Sequence, residues 1–292
     1  GVEMKQKKSK ILRDLLKSNN FLPVPSCFDA LSAKLIEQVG FKLMFMSGFA
    51  ASASRIGQPD LGVMTLTEVL DQLNSITDAS TIPLIGDGDT GYGNAMNVIR
   101  TVKSFAKIDC AGVLIEDQLS PKRCGHTPGK DVVSRDEAFD RIKASVDARE
   151  ENDILIMART DANYTHGIKE AIERAQKFYE LGADILFVEA PKSEDEMRLV
   201  CKEVPGYKIA NIVEGGLTPN LSMKELEGIG YNLAVYPLTA LSSAMKAMVD
   251  SLTKLKTDSD RSNNLMSFEE LRKRVGFDEY YETSSKYETS KR

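Results

Sequence analysis

Apolar residues follow two rhythms along this chain. Short runs such as Val113-Leu114-Ile115 and Ile154-Leu155-Ile156-Met157 are apolar without a break, as expected of parallel strands covered on both faces. Between such runs, apolar positions return every three or four residues. In Lys169–Leu181 they place Ala171, Ile172, Ala175, Phe178 and Tyr179 along one side, with Lys169, Glu173 and Lys177 elsewhere, which is a helical period. The first rhythm predicts strands at Phe21–Pro25, Leu43–Met46, Pro83–Asp87, Gly112–Glu116, Ile154–Arg159, Ile185–Glu189, Lys208–Val213 and Leu233–Pro237. Several helical stretches stop at a glycine just before the next strand, at Gly40, Gly182 and Gly230, where the left-handed conformation ends a helix. Ser134-Arg135-Asp136-Glu137 has the form of a helix start with Ser134 as its N-cap.

Repeated strand–helix units with short turns imply right-handed crossovers and a parallel sheet. Eight such units with no break in composition favour closure, giving an α/β fold of the (β/α)8 TIM-barrel class over residues 1–255. A chain of 292 residues suits one barrel domain. Residues 256–292 are polar, with a helix expected around Phe268–Val275, and read as an extension that packs on the barrel or on a neighbouring subunit. The net charge of −5 argues against a partner made of nucleic acid, which calls for a basic face. No apolar run approaches the roughly 20 residues that span a bilayer. Residues 1–10 are basic but lead into no apolar segment of the signal-peptide type. The four cysteines form no Cys-x-x-Cys pair, so free thiols in a reducing cytoplasm are expected.

Polar residues that a core would reject sit at the C-terminal ends of the expected strands: Ser47-Gly48, Asp87-Gly88-Asp89, Glu116-Asp117, Arg159-Thr160-Asp161, Glu189 and Asn211. Barrel enzymes build their active sites at that end. An isolated Asp-Gly-Asp reads first as a turn capping backbone amides. With Glu116 ending the adjacent strand, Asp87, Asp89 and Glu116 read instead as oxygen donors to one cation, and hard oxygens with only two histidines suit Mg²⁺ rather than zinc. The long loop Gln118–Val133 carries Lys122-Arg123-Cys124-Gly125-His126, and loops of that length in compact domains are commonly functional. Cys124 can serve as an acid whose thiolate Lys122, Arg123 and His126 steady, or it is an incidental cysteine on a basic loop. Arg159 is a fork for a substrate carboxylate, or the partner of Asp161 or Glu189. His166, beside Gly167, reads as solvent-facing.

From about Phe21 to Asp250 the chain resembles the isocitrate lyase/phosphoenolpyruvate mutase superfamily. The resemblance is carried by Met46-Ser47-Gly48, Gly57-Gln58-Pro59-Asp60, Asp87-Gly88-Asp89-Thr90-Gly91-Tyr92-Gly93, Ile115-Glu116-Asp117-Gln118, Lys122-Arg123-Cys124-Gly125-His126, Ala158-Arg159-Thr160-Asp161, Glu189-Ala190-Pro191 and Tyr236-Pro237-Leu238-Thr239. The middle section is similar to the 2-methylisocitrate lyase branch. Asn211-Ile212-Val213-Glu214-Gly215-Gly216 with Thr218-Pro219 is closer to the 2,3-dimethylmalate lyase and petal death protein branch.

The resemblance implies a carbon–carbon lyase in which Asp87 ligates Mg²⁺ (or Mn²⁺) while Asp89, Glu116 and Asp60 hold it through waters. It implies that Ser47, Gly48 and Arg159 bind the carboxylate of a small 2-hydroxy or 2-oxo acid, and that Gly125, Glu189, Asn211 and Pro237 line the rest of the pocket. Cys124, assisted by His126, protonates the departing carbanion. The base that takes the hydroxyl proton stays open between Asp60 and a hydroxide on the metal. A cytoplasmic homotetramer is implied, with the last barrel helix exchanged between paired subunits. The methylisocitrate branch reads a further carboxylate with an arginine just after Tyr-Pro-Leu, where this chain has Thr239-Ala240-Leu241-Ser242-Ser243. A missing charge-assisted partner disfavours a tricarboxylate, so a smaller dicarboxylate such as a 2-alkylmalate is expected. Methylisocitrate cleavage, oxaloacetate hydrolysis, phosphonate mutase chemistry and a non-catalytic binding barrel are the alternatives.

Overall fold

The computed structural model describes residues 5–122, 131–149 and 153–288. In chain order the elements are α1 (Lys8–Lys17), β1 (Leu22–Cys27), α2 (Ala30–Val39), β2 (Met44–Met46), α3 (Gly48–Ile56), α4 (Leu66–Ala79), β3 (Leu84–Asp87), α5 (Ala95–Lys107), β4 (Gly112–Glu116) and α6 (Arg135–Ala148). They continue with β5 (Leu155–Thr160), α7 (Ala162–His166), α8 (Ile168–Glu180), β6 (Ile185–Val188), α9 (Glu194–Glu203), β7 (Tyr207–Asn211), α10 (Met223–Ile229), β8 (Leu233–Tyr236), α11 (Thr239–Lys256), α12 (Phe268–Val275) and α13 (Phe277–Ser285). The eight strands close in sequence order into a barrel, and β8 returns to pair in parallel with β1. The expected TIM barrel is therefore the observed one.

Alternate side chains of each strand serve two cores, because successive strand residues point to opposite faces. Val113, Ile115, Ile154 and Ile156 face outward and pack with Val102, Phe105, Ile142 and Phe178 of the surrounding helices. Leu114, Leu155, Met157, Ile185 and Phe187 face inward and fill the barrel. Leu12 and Leu16 of α1 join this inner cluster. Their one-turn spacing puts both on one face, so α1 is packed into the barrel core, a role the sequence reading did not assign to it.

Helix boundaries follow local chemistry. The Ser134 hydroxyl accepts from the Glu137 N–H, as expected of an N-cap. Asp29 and Ser32 form a reciprocal capping box on α2, and Gly40 closes that helix at φ +110°. A Cβ at Gly40 would meet nothing within 4 Å, so Gly40→Ala carries only the left-handed backbone strain. It should cost about 1 kcal/mol, read as a shift of the urea midpoint at unchanged m-value. The inner face assigned to α8 needs one correction: Ala171, Ile172, Ala175 and Phe178 are buried, but Tyr179 is 45% exposed. It lies at the edge of the helical stripe, where a phenol ring can keep its hydroxyl wet. His166 is exposed, as expected.

The chain forms two compact units, residues 1–240 and 241–292. In the second, the expected helix at Phe268–Val275 is present and is followed by α13. The Arg272 guanidinium lies over the Phe277 ring at 4.1 Å from its centroid, and Lys254 Nζ donates to Asn264 Oδ1 at 2.8 Å.

Candidate active site

The barrel interior changes character over one strand step. Two residues beyond Val24, Phe45, Ile85, Leu114, Met157, Phe187, Ile209 and Val235, all of the inner core, stand Ser26, Ser47, Asp87, Glu116, Arg159, Glu189, Asn211 and Pro237. The two-residue period of a strand sends each of these the same way as the apolar residue before it. Seven of the eight, all but Ser26, line one cleft at the C-terminal end of the barrel. The apolar wall of that cleft comes from Phe45, Phe49, Phe187, Val213 and Leu238.

One side of the cleft is a carboxylate cluster. Asp60 Oδ1, Asp89 Oδ2, Asp87 Oδ2 and Glu116 Oε1 lie 3.2, 3.3, 3.6 and 3.9 Å from the Lys122 ammonium. The β3–α5 turn is tied together by Asp89 N–H donating to Asp87 Oδ1 at 2.8 Å, and Asp89 takes a left-handed φ of 57°. Such strain is retained where surrounding structure overdetermines it, often at functional sites. Burial pushes the Glu116 carboxyl up to about 8, against the pull of Arg159 and Lys122. Burial also raises Asp89, with Lys122 working against it. Burial draws the Lys122 ammonium down, but the carboxylates outweigh it, Asp87 first, and hold it well above the lysine range.

The donor set is all oxygen, the chemistry that suits a hard divalent ion. A Cβ on Gly48 would sit 2.6 Å from Asp87 Oδ2 and 3.3 Å from Asp60 Oδ2, so the glycine leaves the cluster its room. These residues fit Mg²⁺ in kind. In the present arrangement, however, no three carboxylate, cysteine or histidine side chains among the described residues are gathered tightly enough to hold one ion.

The other side is organised by Arg159. Its Nε and Nη2 donate to Asp161 Oδ2 and Oδ1 at 3.1 and 2.8 Å. Nη2 also lies 3.2 Å from Glu189 Oε2, and Nε lies 3.4 Å from Glu116 Oε2. The guanidinium stands 5.1 Å from the centroid of the Phe187 ring. Arg159 is thus paired with Asp161 and Glu189, and it also lines the cleft. Asp161 is itself fixed from behind, its N–H donating to Asp117 Oδ1 at 2.8 Å. Asp117 also accepts from Thr160 Oγ1 at 2.6 Å and from Arg174 Nη1 at 3.2 Å. Removing the Asp161 charge frees the fork without emptying its place. Asp161→Asn should raise KM for a carboxylate substrate roughly tenfold while changing kcat less, measured by steady-state kinetics.

Asn211 Nδ2 donates to Glu189 Oε2 at 3.1 Å, which orients the amide, and its buried Oδ1 has no hydrogen-bond partner among the described residues. Ser47 caps α3, accepting from Ala50 N–H at 3.2 Å. The Gly48 and Phe49 N–H groups of that first turn stand outside the helix's own bonding and favour an anion.

The sequence reading thus placed Ser47, Gly48, Asp60, Asp87, Glu116, Arg159, Glu189, Asn211 and Pro237 around the cleft, where all of them lie, and Asp89 beside it. Cys124, Gly125 and His126 lie outside the described residues. Lys122 was read as a partner for a thiolate, whereas its ammonium is engaged by four carboxylates. Asp161 and Gln118 were passed over as site residues. Gln118 Nε2 donates to Glu116 Oε2 at 2.7 Å, and only its place two residues past Glu116 hinted at that.

A closed parallel barrel with an acid-rich, arginine-bearing cleft at its C-terminal mouth has its polar side chains where barrel enzymes build their active sites. The profile of the phosphoenolpyruvate phosphomutase family matches residues 12–256, and the chain belongs to that family, within the isocitrate lyase/phosphoenolpyruvate mutase superfamily. It is 44% identical to 2,3-dimethylmalate lyase of Eubacterium barkeri over 283 residues, covering 96% of this chain and 98% of that protein. It is 42% identical to 2-methylisocitrate lyase of Escherichia coli over 239 residues, covering 82% and 81%. Among solved structures, oxaloacetate acetylhydrolase in complex with the inhibitor 3,3-difluorooxalacetate matches with a TM-score of 0.92 at 33% identity, over 96% of this chain and 97% of that one.

Proposed function

We propose that this chain is a Mg²⁺-dependent carbon–carbon lyase that cleaves a 2-alkylmalate of the 2,3-dimethylmalate kind to a 2-oxo acid and a carboxylate. The observation that carries the reading is a charge imbalance. Among the described residues, Asp60, Asp87, Asp89, Glu116, Asp161 and Glu189 surround only two cations, Lys122 and Arg159. A dianion enters such a cleft only with a divalent ion beside it. Asp87 would hold that ion directly, with Asp60, Asp89 and Glu116 around it. When bound, Mg²⁺ supplies the positive charge that lowers the pKa of the substrate hydroxyl.

The chain's own groups do the rest. Arg159 and the Gly48 N–H hold the C1 carboxylate, keeping C2 against the acidic side of the cleft. The hydroxyl gives its proton to Asp60, which lines the cleft, the C2–C3 bond breaks, C2 becomes the ketone of the 2-oxo acid, and the electron pair stays on the C3 fragment. Glu189 and Asn211 border the space for that fragment. Cys124, with His126 beside it in sequence, returns a proton to C3. For 2,3-dimethylmalate the products are pyruvate and propionate, and all atoms balance.

The choice of a dicarboxylate rests on the wall opposite the cluster. Arg159 and Lys122 are the only cations among the described residues lining the cleft. A third carboxylate would face Phe187, Val213 and Leu238 unpaired, at a cost of several-fold to thousandfold in affinity. Proton NMR of the purified protein with Mg²⁺ and a mixture of 2,3-dimethylmalate, methylisocitrate and oxaloacetate tests this. Pyruvate with propionate is the expected outcome. Succinate with pyruvate overturns the substrate assignment, acetate with oxalate makes the protein a hydrolase, and no change overturns the lyase.

The assembly proposed is a cytoplasmic homotetramer with α11 exchanged between paired subunits. Met245, Met248, Val249, Leu252 and Leu255 are exposed at helical spacing along α11, an apolar stripe that a second copy would cover. Among the described residues no helix is long and apolar enough to cross a membrane.

A further inference from the structure

We infer that Lys122 is a resident cation, which holds the carboxylate cluster in the metal-free protein and must leave its centre before a divalent ion can enter. The inference rests on the metal reading proposed above. Its ground is geometric. The Lys122 side chain is 6% exposed, and its ammonium lies within 4 Å of four carboxylates from four segments: the α3–α4 connection, the end of β3, the β3–α5 turn and the end of β4.

The spacing separates this arrangement from an ordinary buried ion pair. A charge-assisted N–H···O bond runs to about 2.7–2.9 Å, and all four contacts here are longer. The ammonium is therefore not matched to one partner but centred among several. A cation at that centre neutralises groups that would otherwise face each other unscreened in a desolvated site. Asp87 Oδ2 cannot take a divalent ion at about 2.0–2.1 Å on the side where the ammonium stands 3.6 Å away. Gly48 shows how little room is left: a Cβ there would lie 3.1 Å from Lys122 Nζ and closer still to Asp87 Oδ2.

Lys122 thus sets metal affinity by competition and keeps the empty site from repelling itself. The lysine is a positioning residue for the cluster.

Two measurements test this. The first is calorimetric titration of Mg²⁺ into the wild-type protein and Lys122→Met at pH 8, with thermal unfolding in EDTA alongside. Lys122→Met should bind Mg²⁺ roughly tenfold or more tightly, and its metal-free form should melt below the wild type. Equal or weaker Mg²⁺ binding by the variant overturns the inference alone. No Mg²⁺ binding by either protein overturns the metal reading and the inference with it. The second needs no variant: the wild type is treated with an amine-acylating reagent in EDTA and in Mg²⁺, and modification of Lys122 is followed by peptide mass spectrometry. Slow labelling in EDTA that Mg²⁺ accelerates supports displacement. A rate that Mg²⁺ leaves unchanged, or lowers, overturns it.

Discussion

Arg159→Met should lower the stability of the folded chain by about 3–5 kcal/mol and cut kcat/KM by roughly a thousandfold or more. The two effects have one cause. Arg159 is the shared partner of Asp161, Glu189 and Glu116, and the last three are buried. Methionine fills much of the volume but leaves those carboxylates facing one another without a counter-charge. The fork for the substrate carboxylate is lost in the same step. Urea unfolding measures the first effect and steady-state kinetics the second. Arg159→Lys restores the charge but not the bidentate geometry, so it should recover more stability than turnover. Stability equal to the wild type in Arg159→Met would mean that the network is not what holds the cleft.

Gly48→Ala should behave in the opposite way, with turnover falling at least a hundredfold while the fold is kept. Gly48 opens α3 at a backbone conformation open to any residue, and alanine favours a helix over glycine by about 1 kcal/mol. The added methyl nevertheless falls 2.6 Å from Asp87 Oδ2, a distance at which something must shift. Displacing a reacting or ligating group by about 1 Å costs on the order of a hundredfold in rate. The expected pattern is an unchanged melting temperature in EDTA, weaker Mg²⁺ binding by calorimetry and a depressed kcat/KM. A variant that is fully active with unaltered Mg²⁺ affinity would mean that Asp87 does not hold the ion.

The barrel was legible because its signal is local and repeated. Most strands carry an unbroken apolar run, such as Ile185–Val188 of β6, and each strand lies within two residues of where the sequence predicts it. The candidate site was legible for the same reason, since each polar residue that follows the inner core two positions later, such as Asp87 after Ile85 or Glu116 after Leu114, interrupts an apolar pattern. What escaped were residues with no pattern to interrupt. Lys122 lies in a loop, where periodicity says nothing about which way a side chain turns, and three of its four partners, Asp60, Asp87 and Asp89, come from segments distant in sequence. Asp161 looked like one more polar residue at a strand end, and only the bidentate contact to Arg159 separates it from its neighbours. The role of α1 was missed because Leu12, Leu15 and Leu16 sit in a basic setting that reads as surface until the inner core is seen to include them.

The pairing of Leu22 with Leu233 and of Pro25 with Tyr236 has a bearing on how the chain reaches this state. The contact that shuts the cylinder joins residues more than two hundred positions apart, and such separations slow folding because the loop must be closed before the contact rewards it. Synthesis runs from the N-terminus, so β1 is made long before the strand that will cover its open side. Until β8 emerges, the growing polypeptide carries a curved sheet with two uncovered edges, each able to pair with a neighbouring nascent chain. The last strand to leave the ribosome is therefore the one that ends the period of exposure.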